Sequence, residues 1–167
     1  MSSGKSTLGK LLSKRLNYRF IDLDEYISAK IGMTIPQIFE KKGELFFRKL
    51  ENESLQELLQ LADDENVVIS LGGGTPCYYN HMELLKNTNQ CMSFYLKLSL
   101  KKLVERLWTE KDSRPLISHY QDKDSLDDFV RKHIFERQFY YLQADETIDT
   151  TNKNLEEVFT SIQLKLN

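Results

Sequence analysis

Ser2-Ser3-Gly4-Lys5-Ser6-Thr7 opens the chain with the second half of a phosphate-binding loop. The complete loop reads G-x-x-x-x-G-K-[ST] and ends where a helix begins. Gly4, Lys5 and Ser6 supply its end, and its first glycine would fall two positions before Met1. In such a loop, backbone N–H groups around Ser3–Ser6 and the helix N-terminus cradle a β-phosphate. Lys5 bridges the β- and γ-phosphates, and the Ser6 hydroxyl faces Mg²⁺. The same six residues also serve as a plain helix start. Two neighbours weigh against that: Leu8, Leu11, Leu12 and Leu16 make one apolar helix face, and Tyr18–Asp22 reads as a short strand tipped with acid.

Outward from the loop, helical and strand patterns alternate, which predicts an α/β fold with a parallel sheet. Helices are expected near Leu23–Lys30, Ile35–Lys41 and Glu44–Leu61, with Thr34 as N-cap and Pro36 in the first turn of the second. Val67–Leu71 is a continuous apolar run of the kind buried in parallel sheets, and it stops at Gly72-Gly73-Gly74. A helix over His81–Asn87, a strand over Cys91–Leu96 and a helix over Leu100–Trp108 follow. The polar stretch 109–125 reads as a mobile loop, a lid. Leu126–Leu142 returns to helix, Glu146–Asp149 is a last strand, and Leu155, Val158, Phe159, Ile162 and Leu166 form a core-facing stripe on a final helix. A phosphate-binding loop normally follows a central strand. None precedes it here, so the expectation is an upstream strand absent from this chain, with Met1 internal.

Composition narrows the partners. At 167 residues the chain is expected to be one domain over 1–167. A net charge of −2 gives no reason to expect nucleic acid or a membrane surface. No apolar run approaches the ~18 residues of a membrane span, and Lys5, Lys10, Lys14 and Arg15 interrupt any signal-like core. Two cysteines, Cys77 and Cys91, fit a reduced cytoplasmic protein better than a disulfide framework.

Five further groups of residues carry candidate chemistry. Asp22 and Asp24, two apart in extended chain, share a face where α/β folds bind ligands; one would hold Mg²⁺ through water and the other accept a hydroxyl proton. A solvated pair opening a helix, with Asp24 as N-cap, is the other reading. Arg48 and Glu51 lie one turn apart, fit for a carboxylate clamp held by its own acid, or for an ordinary surface ion pair. Gly72, Gly73 and Gly74 permit a ligand close to the backbone, or form a plain turn. Arg114, before Pro115-Leu116, is a lid arginine for a γ-phosphate or a solvated loop cation. Arg137, one turn before Tyr141, is a second carboxylate clamp or a cover for an aromatic face.

In this order and spacing the residues resemble shikimate kinase. The family pattern runs from a phosphate-binding loop through D-x-D, G-x-x-I-x-x-I-F, G-E-x-x-F-R-x-x-E and G-G-G to R-P-L in a lid and R-x-x-x-Y. This chain carries Gly32-Met33-Thr34-Ile35-Pro36-Gln37-Ile38-Phe39 and Gly43-Glu44-Leu45-Phe46-Phe47-Arg48-Lys49-Leu50-Glu51 in the matching places.

The resemblance covers the chain from Ser2 to the last helix. It implies a P-loop, nucleoside-monophosphate-kinase-like three-layer sandwich around a central parallel sheet, and ATP-dependent phosphorylation of the shikimate 3-hydroxyl on the route to chorismate. It implies Asp24 on the substrate hydroxyl; Arg48, Arg137 and the glycine run around Gly73 on shikimate; Asp22 near Mg²⁺; Arg114 on the γ-phosphate; and a monomer. Ser2, Ser3, Gly4, Lys5, Ser6 and Thr7 fall on the nucleotide loop. The chain departs from the pattern in lacking the first loop glycine, in carrying Ser2-Ser3 where glycine and a small residue are usual, and in placing Trp108 where many members stack an arginine on adenine. Trp108 is therefore expected either to stack on adenine or to close a helix end. A gluconate or nucleoside monophosphate kinase, and a nucleotide-binding paralogue without catalysis, are the competing readings.

Overall fold

The structure, a computed structural model, describes residues 3–62, 64–114 and 116–166. Its backbone contacts gather into two compact units, Ser6–Cys91 and the chain from Met92 onward together with the residues up to Lys5.

In the first unit, α1 (Lys5–Leu16) buries Leu8 and Leu12 from the predicted leucine face. Strand β1 (Arg19–Asp22) follows and runs straight into α2 (Leu23–Ile31). Asp22 caps that helix, its carboxylate accepting from the Asp24 and Glu25 N–H groups, and Gly32 ends it in the left-handed conformation at φ +70°. α3 (Ile35–Leu61) opens with a reciprocal capping box between Thr34 and Gln37 and carries Pro36 in its first turn. Gly43, at φ 81° and ψ 170°, breaks it into the two helices that the sequence predicts. The long second half buries Leu55 and Leu58 against α2 and its neighbours. Fully buried aliphatic side chains of this kind contribute roughly 1.5–3 kcal/mol each.

β2 (Val67–Ser70) pairs in parallel with β1, and Asp22 lies opposite Ser70. The two strands therefore end together. That register sets the aspartate pair of one strand end beside the glycine run of the other. Val67–Ile69 are half-buried rather than buried as expected, because β2 pairs only with β1 among the described residues. A short 3₁₀ turn, Thr75–Cys77, leads to α4 (His81–Asn87).

In the second unit, β3 (Phe94–Lys97) and β4 (Glu146–Asp149) form another parallel pair. α5 (Leu100–Glu110), capped by Ser99, packs against α6 (Lys123–Tyr141), capped by Asp122. Leu107, Ile117, Leu126 and Val130 are wholly buried between them. Within the segment 109–125, α5 runs on to Glu110, Lys111–Ser113 is a 3₁₀ turn, α6 begins at Lys123, and Ile117 is buried in the core with residues of α5 and α6. On α7 (Leu155–Leu166) the stripe narrows to Val158, Phe159 and Ile162, while Leu155 and Leu166 are exposed.

Candidate active site

Gly4 turns the chain into α1 at φ +86°, a conformation that glycine adopts without strain. Ser6 and Thr7 stand exposed in the first helical turn. The Ser6 hydroxyl donates to Asp22 Oδ2 at 2.8 Å. Asp22 Oδ1 accepts from Asp24 N at 3.1 Å and from Glu25 N at 3.4 Å. One carboxylate thus ties the phosphate loop's helix to the end of β1. Ser2 lies outside the described residues.

The aspartate pair is arranged differently from the expected extended chain. The helix starts at Leu23, so Asp22 closes the strand and Asp24 sits in the first helical turn. The N-cap is Asp22, not Asp24, because only the residue before Leu23 can turn its side chain onto the free N–H groups of that turn. Asp24 still faces the glycine run. A Cβ added to Gly72 would lie 3.2 Å from Asp24 Oδ1, 3.3 Å from Glu51 Oε1 and 3.0 Å from Thr75 Oγ1. Three oxygens therefore crowd the spot that a Cβ at position 72 would occupy.

Arg48 is no surface ion pair. It is 8% exposed and Glu51 is 1% exposed. Arg48 Nη1 donates to Glu51 Oε2 at 2.8 Å, while Nε and Nη2 both donate to Glu44 Oε1 at 3.3 Å. Its guanidinium carbon lies 4.1 Å from the centre of the Tyr78 ring, and the Tyr78 hydroxyl donates to Glu44 Oε1 at 2.9 Å. Burial works against the charge on Arg48. The hydrogen bond and charge of Glu51, with help from Tyr78 and Glu44, outweigh it and hold the group above its ordinary pKa. Gly74 makes room for this fork, since a Cβ there would sit 2.7 Å from Arg48 Nη2. Three N–H vectors of the fork go to protein carboxylates, leaving others that can receive an anion.

Thr75 and Tyr78 surround the Arg48–Glu51 pair without being marked by any motif, and Glu44, although it stands in the G-E-x-x-F-R-x-x-E motif, carries no role in the sequence reading. Glu44 stands four residues before Arg48, a spacing that predicts contact. Thr75 and Tyr78 arrive from a 3₁₀ turn and its end, where no periodicity announces them.

The remaining candidates belong to the second unit. Lys5 is half-buried at the first position of α1. Arg114 is half-buried, and its Nη2 and Nε both donate to Glu110 Oε2, at 2.6 and 3.0 Å. Pro115, the middle of the R-P-L motif, lies outside the described residues. Trp108 packs on the core between α5 and α6, with Lys111 Nζ 5.1 Å from its ring centre. Arg137 is half-buried on α6, and the Tyr141 ring packs 5.1 Å from Tyr95 of β3. His133, one turn before Arg137, is lowered to about 4 by burial and by the Arg137 charge. No group of three or more His, Cys, Asp or Glu side chains suited to a metal ion occurs among the described residues.

Known proteins line up with this arrangement. The sequence model of the family described as Shikimate kinase matches residues 1–167. A shikimate kinase of Flavobacterium johnsoniae is 43% identical over 97% of this chain and 92% of its own length. One from Flavobacterium psychrophilum is 44% identical over 92% of this chain and 87% of its own. Among solved structures, the shikimate kinase of Bacteroides thetaiotaomicron superposes with a TM-score of 0.89 at 35% identity, covering 99% of this chain and 93% of that one. The Acinetobacter baumannii shikimate kinase, solved in complex with shikimate, gives 0.83 at 32% identity over 99% of this chain and 88% of its own. The expected P-loop kinase fold, α/β with parallel strands, is thereby borne out. On sequence and structure alike, the chain belongs to the shikimate kinase family.

Proposed function

We propose that the chain transfers the γ-phosphoryl group of ATP to the 3-hydroxyl of shikimate, yielding shikimate 3-phosphate and ADP. The observation that carries this reading is the buried Arg48–Glu51 clamp lying against Gly74 and within one glycine of Asp24. A carboxylate receptor beside a carboxylate base suits an acceptor that bears both an acid and a hydroxyl.

In this account, Arg48 and Arg137 hold the shikimate carboxylate, and the backbone of Gly72, Gly73 and Gly74 follows the ring. Asp24 orients the 3-hydroxyl and accepts its proton as the new O–P bond forms. The bond between the γ-phosphorus and the β–γ bridging oxygen breaks, and ADP leaves with the negative charge. Lys5 and the backbone around Ser3, Gly4, Ser6 and Thr7 hold the phosphate chain, and Arg114 neutralises the γ-phosphoryl oxygens as it moves. Trp108 is the residue we assign to the adenine face. Positioning and charge neutralisation carry most of the acceleration in such transfers.

Mg²⁺ fits the residues present. Ser6 and Asp22, in contact at 2.8 Å, offer a hydroxyl and a carboxylate, both hard oxygen donors. Mg²⁺ keeps several waters and takes its remaining oxygens from phosphates, so it needs no cluster of protein ligands. Bound there, it would neutralise charge on the β- and γ-phosphates. Among the described residues no helix is long and apolar enough to cross a membrane. We further propose a monomeric, cytoplasmic enzyme that meets neither nucleic acid nor lipid, a reading supported by the family and by the net charge of −2.

Coupled ADP release tests the assignment with shikimate, gluconate and nucleoside monophosphates offered separately. Release is expected with shikimate. Release with gluconate or a nucleotide alone would overturn the substrate, and release with none would favour a binding protein without catalysis.

A further inference from the structure

Glu51 divides its two oxygens between two partners. Oε2 accepts from Arg48 at 2.8 Å, and Oε1 accepts from the Thr75 hydroxyl at 2.6 Å. Thr75 is itself completely buried. Without that second donor, a buried carboxylate would turn to offer both oxygens to the arginine fork, the geometry such pairs prefer. The guanidinium would then shift from its place against Gly74.

Thr75 is held firmly enough to prevent this. Its N–H donates to the Gly72 carbonyl at 3.2 Å. Its own carbonyl accepts from Nδ1 of His81, another wholly buried side chain, at 2.7 Å. His81 Nε2 lies 3.0 Å from the side-chain amide of Asn52, the residue after Glu51. The glycine loop is therefore bolted to α3 at two successive residues, once through Thr75 and once through His81.

We infer that Thr75 is a positioning residue: through Glu51 it sets the direction of the Arg48 fork and so the affinity for the acceptor's carboxylate. The inference rests on the reading that Arg48 holds that carboxylate. Thr75 touches neither substrate nor the reacting atoms in this account. It acts on binding of one substrate and leaves the other alone.

The test compares Thr75→Val, which keeps the shape and removes the hydroxyl, with Thr75→Ser, which keeps the hydroxyl. Thr75→Ala takes the place of the valine variant if that one does not fold. Two readouts are needed: KM for each substrate with kcat, and the NMR resonance of the Arg48 side-chain Nε–H, assigned by its loss in Arg48→Lys. Thr75→Val is expected to raise KM for shikimate about tenfold, leave KM for ATP unchanged and alter kcat by less than about threefold. The Arg48 resonance should move, and Thr75→Ser should restore both. An unmoved resonance with unchanged KM for shikimate overturns the inference, as does an equal rise in both KM values. If the unaltered enzyme does not turn over shikimate, the substrate assignment fails, and the resonance still decides whether Thr75 sets Arg48.

Discussion

Replacing Glu51 with Gln removes one charge from a pair in which the arginine side chain is 10% exposed and the carboxylate 1%. Glutamine keeps the volume and one carbonyl oxygen. If that oxygen stays with Thr75, the amide N–H₂ faces Arg48 Nη1 across what was a 2.8 Å bond, donor against donor. If the amide turns, the Thr75 hydroxyl loses its acceptor instead. Removing one partner of a buried pair costs about 3–5 kcal/mol, because a desolvated charge is left behind. Arg48 retains Glu44 and the face of Tyr78, which puts the expected loss near the lower figure, ~3 kcal/mol. For a chain of this size that is a fall in Tm of roughly 6–12 °C. Urea unfolding of both proteins measures it directly, with the m-values compared to exclude a change in the unfolded state. The loss should persist at about 1 M salt, where exposed pairs are screened out. A loss under about 1 kcal/mol, the range of exposed pairs, would refute the claim that this pair is a buried, mutually dependent unit.

Three other substitutions probe separate parts of the account. Gly74→Ala places a Cβ 2.7 Å from Arg48 Nη2, so KM for shikimate should rise at least about tenfold with KM for ATP unchanged; equal effects on both would show that the glycine serves the fold and not the clamp. Asp24→Asn should lower kcat by about 10²–10⁴, the usual worth of a positioned base, while shikimate binding weakens little; a matched loss of both would leave Asp24 a binding group only. His133 offers a pH test. Its folded pKa is lowered from 6.5 to about 4, so between those values the unfolded chain takes up a proton that the folded one refuses. Stability therefore falls as pH drops through that window and levels off below it. The full shift corresponds to ~3 kcal/mol, and partial solvent access reduces this to about 1–2 kcal/mol. His133→Gln should lose that much less than the unaltered chain between neutral pH and pH ~4 in urea melts; parallel losses would contradict a half-buried His133 that resists protonation.

Local chemistry was the legible part of this chain. Thr34 and Pro36 mark a helix start because caps and first-turn prolines act within a few residues of themselves. The Arg48–Glu51 contact follows from helical spacing alone. Whether it was buried did not follow, since burial depends on the glycine loop and Tyr78 closing over it. The aspartate pair was recognisable but its geometry was not. A strand reading put both carboxylates on one face, whereas the capping preference of Asp22 starts the helix between them. Thr75 and His81 were invisible because their partners lie 24 and 29 residues away in sequence. Ile117 likewise sits in a polar segment with no pattern to mark it as core.

The central claim concerns where a phosphoryl group ends up. Incubating the chain with ATP, Mg²⁺ and shikimate and recording phosphorus NMR of the isolated product tests it most directly. The account predicts a single phosphate monoester whose phosphorus couples to the proton on carbon 3 of the shikimate ring, with ADP formed in equal amount. ADP accompanied only by inorganic phosphate, or an ester on a different oxygen, would contradict it.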